Sequence, residues 1–164
     1  MGLFSRNRGN SSSSSSAQTE AVRKKNAFCA YLDSRGSYYD EVSSQPAMVK
    51  MNYGGGDFVF PHLTAWIDFD PPSNGKGDTV HIVIPQVARF TGSSRARGLD
   101  LCNKISMDKR WIRAYIDDDG DVMVDGDMYT TGGGDVSEDV RHLVATMMSV
   151  IDDVYEELQR AQWS

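Results

Sequence analysis

The densest group of chemistry-capable side chains in this chain is Asp117-Asp118-Asp119-Gly120-Asp121, with Asp125 and Asp127 close behind. Carboxylates at Asp117, Asp119 and Asp121 alternate as the hard oxygen ligands of a calcium loop do. The EF-hand pattern also needs a glycine after its third ligand and a glutamate at the last loop position. Here Gly120 comes too early, Met128 stands where the glutamate belongs, and the flanking residues have strand rather than helix periodicity. The stretch therefore reads as a hairpin tip kept soluble by charge, and no metal ligand is assigned.

Other residue types that do chemistry are scattered. His62, His81 and His142 fall in a turn, a strand and a helix, with no spacing that builds a zinc site. No serine sits in a Gly-x-Ser-x-Gly elbow, and neither Cys29 nor Cys102 has a neighbouring base. Gly54-Gly55-Gly56-Asp57 is glycine-rich, but no helix and no Lys-Ser/Thr follow it, so a phosphate cradle is not expected. The sequence assigns no catalytic residue and no cofactor. The two cysteines read as buried, reduced thiols, which fits a cytoplasmic protein.

The elements that must position these side chains are better defined. Ile112, Ala114 and Ile116 alternate with Trp111, Arg113 and Tyr115, and Val122 and Val124 alternate with Met123 and Asp125. A three-residue loop at Asp118-Asp119-Gly120 sets Ile116 across from Val122, Tyr115 from Met123, Ala114 from Val124 and Arg113 from Asp125. Every apolar pair then shares one face, Gly120 supplies the positive φ of such a loop, and a slip of one residue would turn the whole set toward water.

Along the chain, residues 1–18 read as a disordered tail built on the run Ser11 to Ser16. Met1-Gly2-Leu3-Phe4-Ser5 only approaches a myristoylation pattern, because Arg6 occupies the Ser/Thr position. Residues 19–164 read as a single domain. Thr19 to Asp33 predicts a helix stopped by Gly36, with Val22, Lys25, Phe28, Cys29 and Leu32 as its stripe. Strands follow at 49–53, 63–70 and 79–84, with a short extended piece at 38–42 and a Pro/Gly-rich connector at 71–77. A helix best defined from Leu99 to Ile105 presents Leu99, Cys102 and Ile105 on one face. After the hairpin, Asp135 and Glu138 suggest a capping box opening a long helix with a stripe from Val136 to Leu158. The order α-β-β-β-α-β-β-α, with short turns between strands, gives an α+β fold: an antiparallel β-sheet with helices packed on one face.

Size and charge narrow the function. A chain of 164 residues with 40% hydrophobic residues can bury a core without staples. Its net charge of −6 argues against nucleic acid, whose binding depends on neutralising phosphate. Two small basic clusters, Arg23-Lys24-Lys25 and Arg95/Arg97, read as solvated surface. No apolar run reaches the roughly 20 residues of a membrane helix, and no N-terminal h-region suggests a secretory signal.

The order of elements, together with Leu99-Asp100-Leu101-Cys102-Asn103, the Arg113–Val124 hairpin and Gly133-Gly134-Asp135-Val136-Ser137-Glu138, resembles the YbjN-like family with its type III secretion chaperone-like fold. The likeness spans about residues 19–160. It implies a bacterial sensory transduction regulator, and the related secretion chaperones bind extended partner segments as homodimers. It offers no catalytic residue.

The sheet face opposite the predicted core collects Trp66, His81, Trp111, Arg113, Tyr115 and Met123, together with Val83 and Asp125. Tryptophan, tyrosine and arginine are enriched where proteins meet. The expectation is a non-enzymatic, chaperone-like or regulatory module that binds a protein segment on this face as a homodimer. The alternative is a ligand-binding domain or enzyme with its pocket between the sheet and the long helix.

Overall fold

The computed structural model describes residues 12–56, 58–69, 79–130 and 134–163, with side chains from residue 20 onward. Helix α1 (Ser12–Ser34) leads into β1 (Asp40–Glu41), β2 (Met48–Tyr53), β3 (Leu63–Asp68) and β4 (Thr79–Ile84). Helix α2 (Arg95–Asp108) crosses to β5 (Ile112–Ile116) and β6 (Val122–Tyr129), and α3 (Ser137–Gln162) closes the order. All pairings are antiparallel, in the spatial order β1-β2-β3-β4-β6-β5. The fold is α+β, as expected. Residues 1–11, with the lipidation-like start, and the 71–77 connector lie outside the described residues, whereas residues 12–18, expected as part of a disordered tail, belong to α1.

Strict alternation builds one wall of the core. Residues Leu63, Ala65 and Ile67 of β3, Val80, Ile82 and Ile84 of β4, and Val122 and Val124 of β6 are buried. The helices meet that same face. The Phe28 ring of α1 lies 5.6 Å from Phe69, Gly98 of α2 packs against Phe90 and Ile116, and Met147 of α3 lies against Gly126. With 26 residues, α3 is about 39 Å long at the standard rise.

Several expectations are corrected. α1 begins at Ser12, upstream of the Thr19 expected as its N-cap, because no glycine or proline interrupts the run between them. Of the basic cluster on α1, only Arg23 is solvated, paired with Glu20. Lys24 and Lys25 are buried, with the Lys24 ammonium donating to the Thr130 carbonyl (3.2 Å) and hydroxyl (2.8 Å) and Lys25 paired with Glu41. The second cluster is also engaged: Arg95 donates to the Asp117 carbonyl (3.1 Å) and Arg97 to the Ala161 carbonyl (2.8 Å). On α2, Leu99 is 42% exposed and the buried positions are Gly98, Cys102 and Ile105. Phe90 and Ile116 leave room only for a residue without Cβ at 98, and this rotates the helix away from the expected stripe. At α3 the N-cap is Val136, without a side-chain cap, rather than the expected Asp135; Asp135, one residue further out, accepts the Ser137 backbone N–H at 2.9 Å and the Ser137 hydroxyl.

Pro85 ends β4, as expected. Gln86 then takes φ 59°, and the chain resumes pairing with the start of β6. Val87 N–H donates to the Val122 carbonyl (3.0 Å), Val122 N–H to the Ala88 carbonyl (2.8 Å) and Phe90 N–H to the Gly120 carbonyl (2.7 Å). This kinked extension braces the β5–β6 hairpin from beneath its turn.

Candidate interaction face

The β5–β6 hairpin has the register its alternation requires: Ile116 opposes Val122, Tyr115 Met123, Ala114 Val124 and Arg113 Asp125. Gly120 takes φ 89° in the turn. The acidic tip spends its first carboxylate on the backbone. Asp117 Oδ1 accepts the N–H groups of Asp119 (3.0 Å) and Asp121 (2.8 Å). Arg89 lies 3.6 Å from the Asp121 carboxylate. Among the described residues no three His, Cys, Asp or Glu side chains converge as metal ligands.

The face opposite the helices carries a continuous row across the sheet. Paired residues run Asp40–Lys50, Lys50–Trp66, Trp66–Val83, Val83–Asp125 and Asp125–Arg113. A second row runs Met48–Asp68–His81–Asp127. Because α1, α2 and α3 all pack on the other side, no described element covers these rows.

Charge organises the β4–β6–β5 half of the face. Arg113 Nε donates to Asp125 Oδ1 (2.8 Å), and Arg113 Nη2 to Asp125 Oδ2 (3.1 Å) and Asp127 Oδ2 (2.7 Å). His81 Nδ1 lies 2.7 Å from the other Asp127 oxygen. Asp125 is only 8% exposed at its side chain, whereas Arg113 is 60% exposed and roofs it. The Asp125 hydrogen bond is the largest cause holding the Arg113 pKa above the ordinary arginine value, with burial working against it. Burial, followed by the Asp125 charge, raises the Tyr115 phenol. On the other half, the Lys50 ammonium lies 5.1 Å from the Trp66 ring centroid, a cation–π contact.

Trp66, His81, Arg113, Tyr115 and Met123 are thus brought onto one face, as their alternation predicts. Trp111 stands at the margin of that face, in the turn before β5, with φ 70° and 79% of its surface exposed. There it lines an open groove with Arg113, Asp127 and Tyr129 of the face and His142 and Leu143 from α3. Holding a bulky residue at positive φ costs of order 1–3 kcal/mol. We expect Trp111→Gly to raise stability by about 1 kcal/mol in thermal unfolding, since an exposed ring has little packing to lose. A lower midpoint would show that the ring packs. Sequence reading passed over Asp127, Lys50 and Tyr129 as members of the outward face. The signal was present, since Asp127 and Tyr129 continue the parity of Met123 and Asp125, and Lys50 lies between the inward Val49 and Met51.

The edge of the sheet at β5 is blocked at its middle. Ser106 Oγ of α2 accepts the Ala114 N–H (2.8 Å) and donates to the Ala114 carbonyl (3.3 Å), occupying the backbone groups that the central residue of this strand would offer a new strand. The cysteines offer no nucleophile at ordinary pH. Burial raises the Cys29 thiol and pushes Cys102 up to about 11. A small hollow between α2 and α3, lined by Leu101, Ile105, Val154 and Leu158, is rimmed by the Lys104–Glu157 pair (3.5 Å).

Comparison with known proteins agrees with this architecture. Residues 73–160, more than half of the chain, match the family model YbjN, described as "Putative bacterial sensory transduction regulator". A crystal structure of YbjN from E. coli superposes with a TM-score of 0.60 over 86% of this chain and 94% of that one. At 16% identity that likeness establishes the fold alone. No curated protein matches the sequence. Among the described residues no helix is long and apolar enough to cross a membrane.

Proposed function

Since the chain belongs to the YbjN family, we propose that it acts as a non-enzymatic regulatory module that docks a segment of a partner protein on the outward face of its sheet. The observation that carries this reading is the uncovered face itself. Trp66, Val83, Met123 and Tyr115 stand half-buried or exposed there, in register, with all three helices on the other side. Aromatic and sulfur-bearing side chains left in that state are what a partner covers. Docking is on the face rather than by strand addition at β5, because Ser106 already holds the middle of that edge. The mode is chaperone-like, capturing a partner segment without chemistry. We place the protein in the cytoplasm, where its unpaired Cys29 and Cys102 stay reduced, and as a homodimer that leaves this face free.

The test is a capture experiment with the intact protein beside a Tyr115→Ala/Met123→Ala variant, a pair that faces across β5 and β6. Truncating both side chains is expected to cost about 2 kcal/mol or more of binding, roughly 30-fold. Unfolding stability should fall by about 1 kcal/mol at most. If the variant unfolds outright, the face is core. If it retains the same partners, the docking surface lies elsewhere. Light scattering of the intact chain tests the dimer.

A further inference from the structure

Charges on the outward face are unequal. Among the described residues pointing outward, Asp40, Asp68, Asp125 and Asp127 outnumber the permanent cations Lys50 and Arg113. Both cations lie against the face and show what it accepts. Lys50 sets its ammonium against the Trp66 ring, and Arg113 sets its guanidinium between the Asp125 and Asp127 carboxylates. The first is a cation–π contact and the second a charge-assisted fork. Apolar contact is supplied between them by Val83, and beside them by Met123 and Tyr115. Asp127 keeps 44% of its side chain in solvent, so its charge is felt outside the molecule. The net charge of −6 adds a long-range field of the same sign.

We infer that the occupant of this face is a cationic, amphipathic segment of a second protein. Its apolar side chains rest on Trp66, Val83, Met123 and Tyr115. Its lysines or arginines reach Asp127 at one end of the face and Asp40 at the other. The row from Asp40 to Arg113 crosses the six strands, a span of about 24 Å at roughly 4.8 Å per strand. A helix of about 16 residues covers that span. This inference rests on the face being the docking surface, as proposed above.

The full-length chain is titrated against a labelled amphipathic helical peptide of about 18 residues built from leucine and lysine, and against its leucine–glutamate counterpart. The lysine peptide is expected to bind about tenfold or more tightly than the glutamate peptide, with an affinity that falls as salt rises. Asp127→Asn is expected to weaken it several-fold, whereas Glu156→Gln, on the exposed side of α3, leaves it unchanged. Equal binding of the two peptides, or an equal loss with Glu156→Gln, overturns the charge assignment. If Tyr115→Ala leaves lysine-peptide binding intact in a folded protein, the docking face itself is wrong, which separates the two failures. If the chain is a dimer that Tyr115→Ala dissociates, a second copy occupies the face and the cationic segment is overturned.

Discussion

Arg113→Leu is expected to lower unfolding stability by about 2–4 kcal/mol, somewhat less than the roughly 3–5 kcal/mol of breaking a fully buried ion pair. Asp125 accepts two of the three hydrogen bonds Arg113 makes on this face and has 8% of its side chain in solvent. Losing the guanidinium leaves a carboxylate between strands with no remaining cation in the pair. Arg113 is itself 60% exposed, so water reaching the gap partly screens that charge and holds the loss below the top of the range. A double variant, Arg113→Leu with Asp125→Leu, should recover to within about 1 kcal/mol of the parent, because matched apolar replacements of a buried pair are often neutral. Chemical denaturation of the four proteins in this cycle measures the effect. A loss below about 0.5 kcal/mol in the single variant, the ordinary range for surface changes, would mean that Asp125 does not depend on Arg113.

Gly98→Ala is expected to destabilise the fold by about 1–3 kcal/mol, the ordinary result of overpacking a core. Helix propensity alone predicts the reverse, since alanine is favoured over glycine inside a helix by about 1 kcal/mol. Packing decides the sign. A Cβ at 98 would lie 2.5 Å from Phe90 Cγ, 2.7 Å from Phe90 Cδ2 and 2.8 Å from Ile116 Cδ1. The Ile116 methyl can rotate, but Phe90 is fully buried and has nowhere to move. Because Ile116 belongs to β5, relief of the clash displaces the strand that carries Arg113 and Tyr115. Partner binding should therefore weaken along with stability. Thermal unfolding supplies the first readout and the capture experiment the second. An alanine variant more stable than the parent would show that α2 has room to shift.

The two predictions differ in how much of their basis is visible in residue order. The Arg113–Asp125 pair follows from hairpin alternation, because neighbours across a tight turn are fixed by short-range rules. The outward positions of Trp66, His81, Tyr115 and Met123 follow from the same parity within single strands. Gly98 was different. Its burial depends on Phe90, which arrives by way of the kink at Pro85-Gln86, and no periodicity within α2 reports it. Lys24 and Lys25 were misread for a related reason. Their type suggests solvent, and only the arrival of Thr130 and Glu41 provides polar partners that make burial tolerable. Trp111 departs from the alternation through the backbone, since its left-handed turn makes the strand start one residue later than alternation implies.

By itself the sequence determined the α+β class, the hairpin register, the long α3 stripe and the inward or outward label of most strand residues. These are consequences of local periodicity, in which a side chain's direction depends on its immediate neighbours. Only the tertiary structure decided that β6 lies between β4 and β5, so that His81 meets Asp127 and Asp127 meets Arg113. It likewise decided that Ser106 blocks the middle of the β5 edge and that all three helices share one side. Those outcomes depend on contacts between segments far apart in the chain. Such contacts are selected by which surfaces can be buried together, and residue spacing does not record that choice.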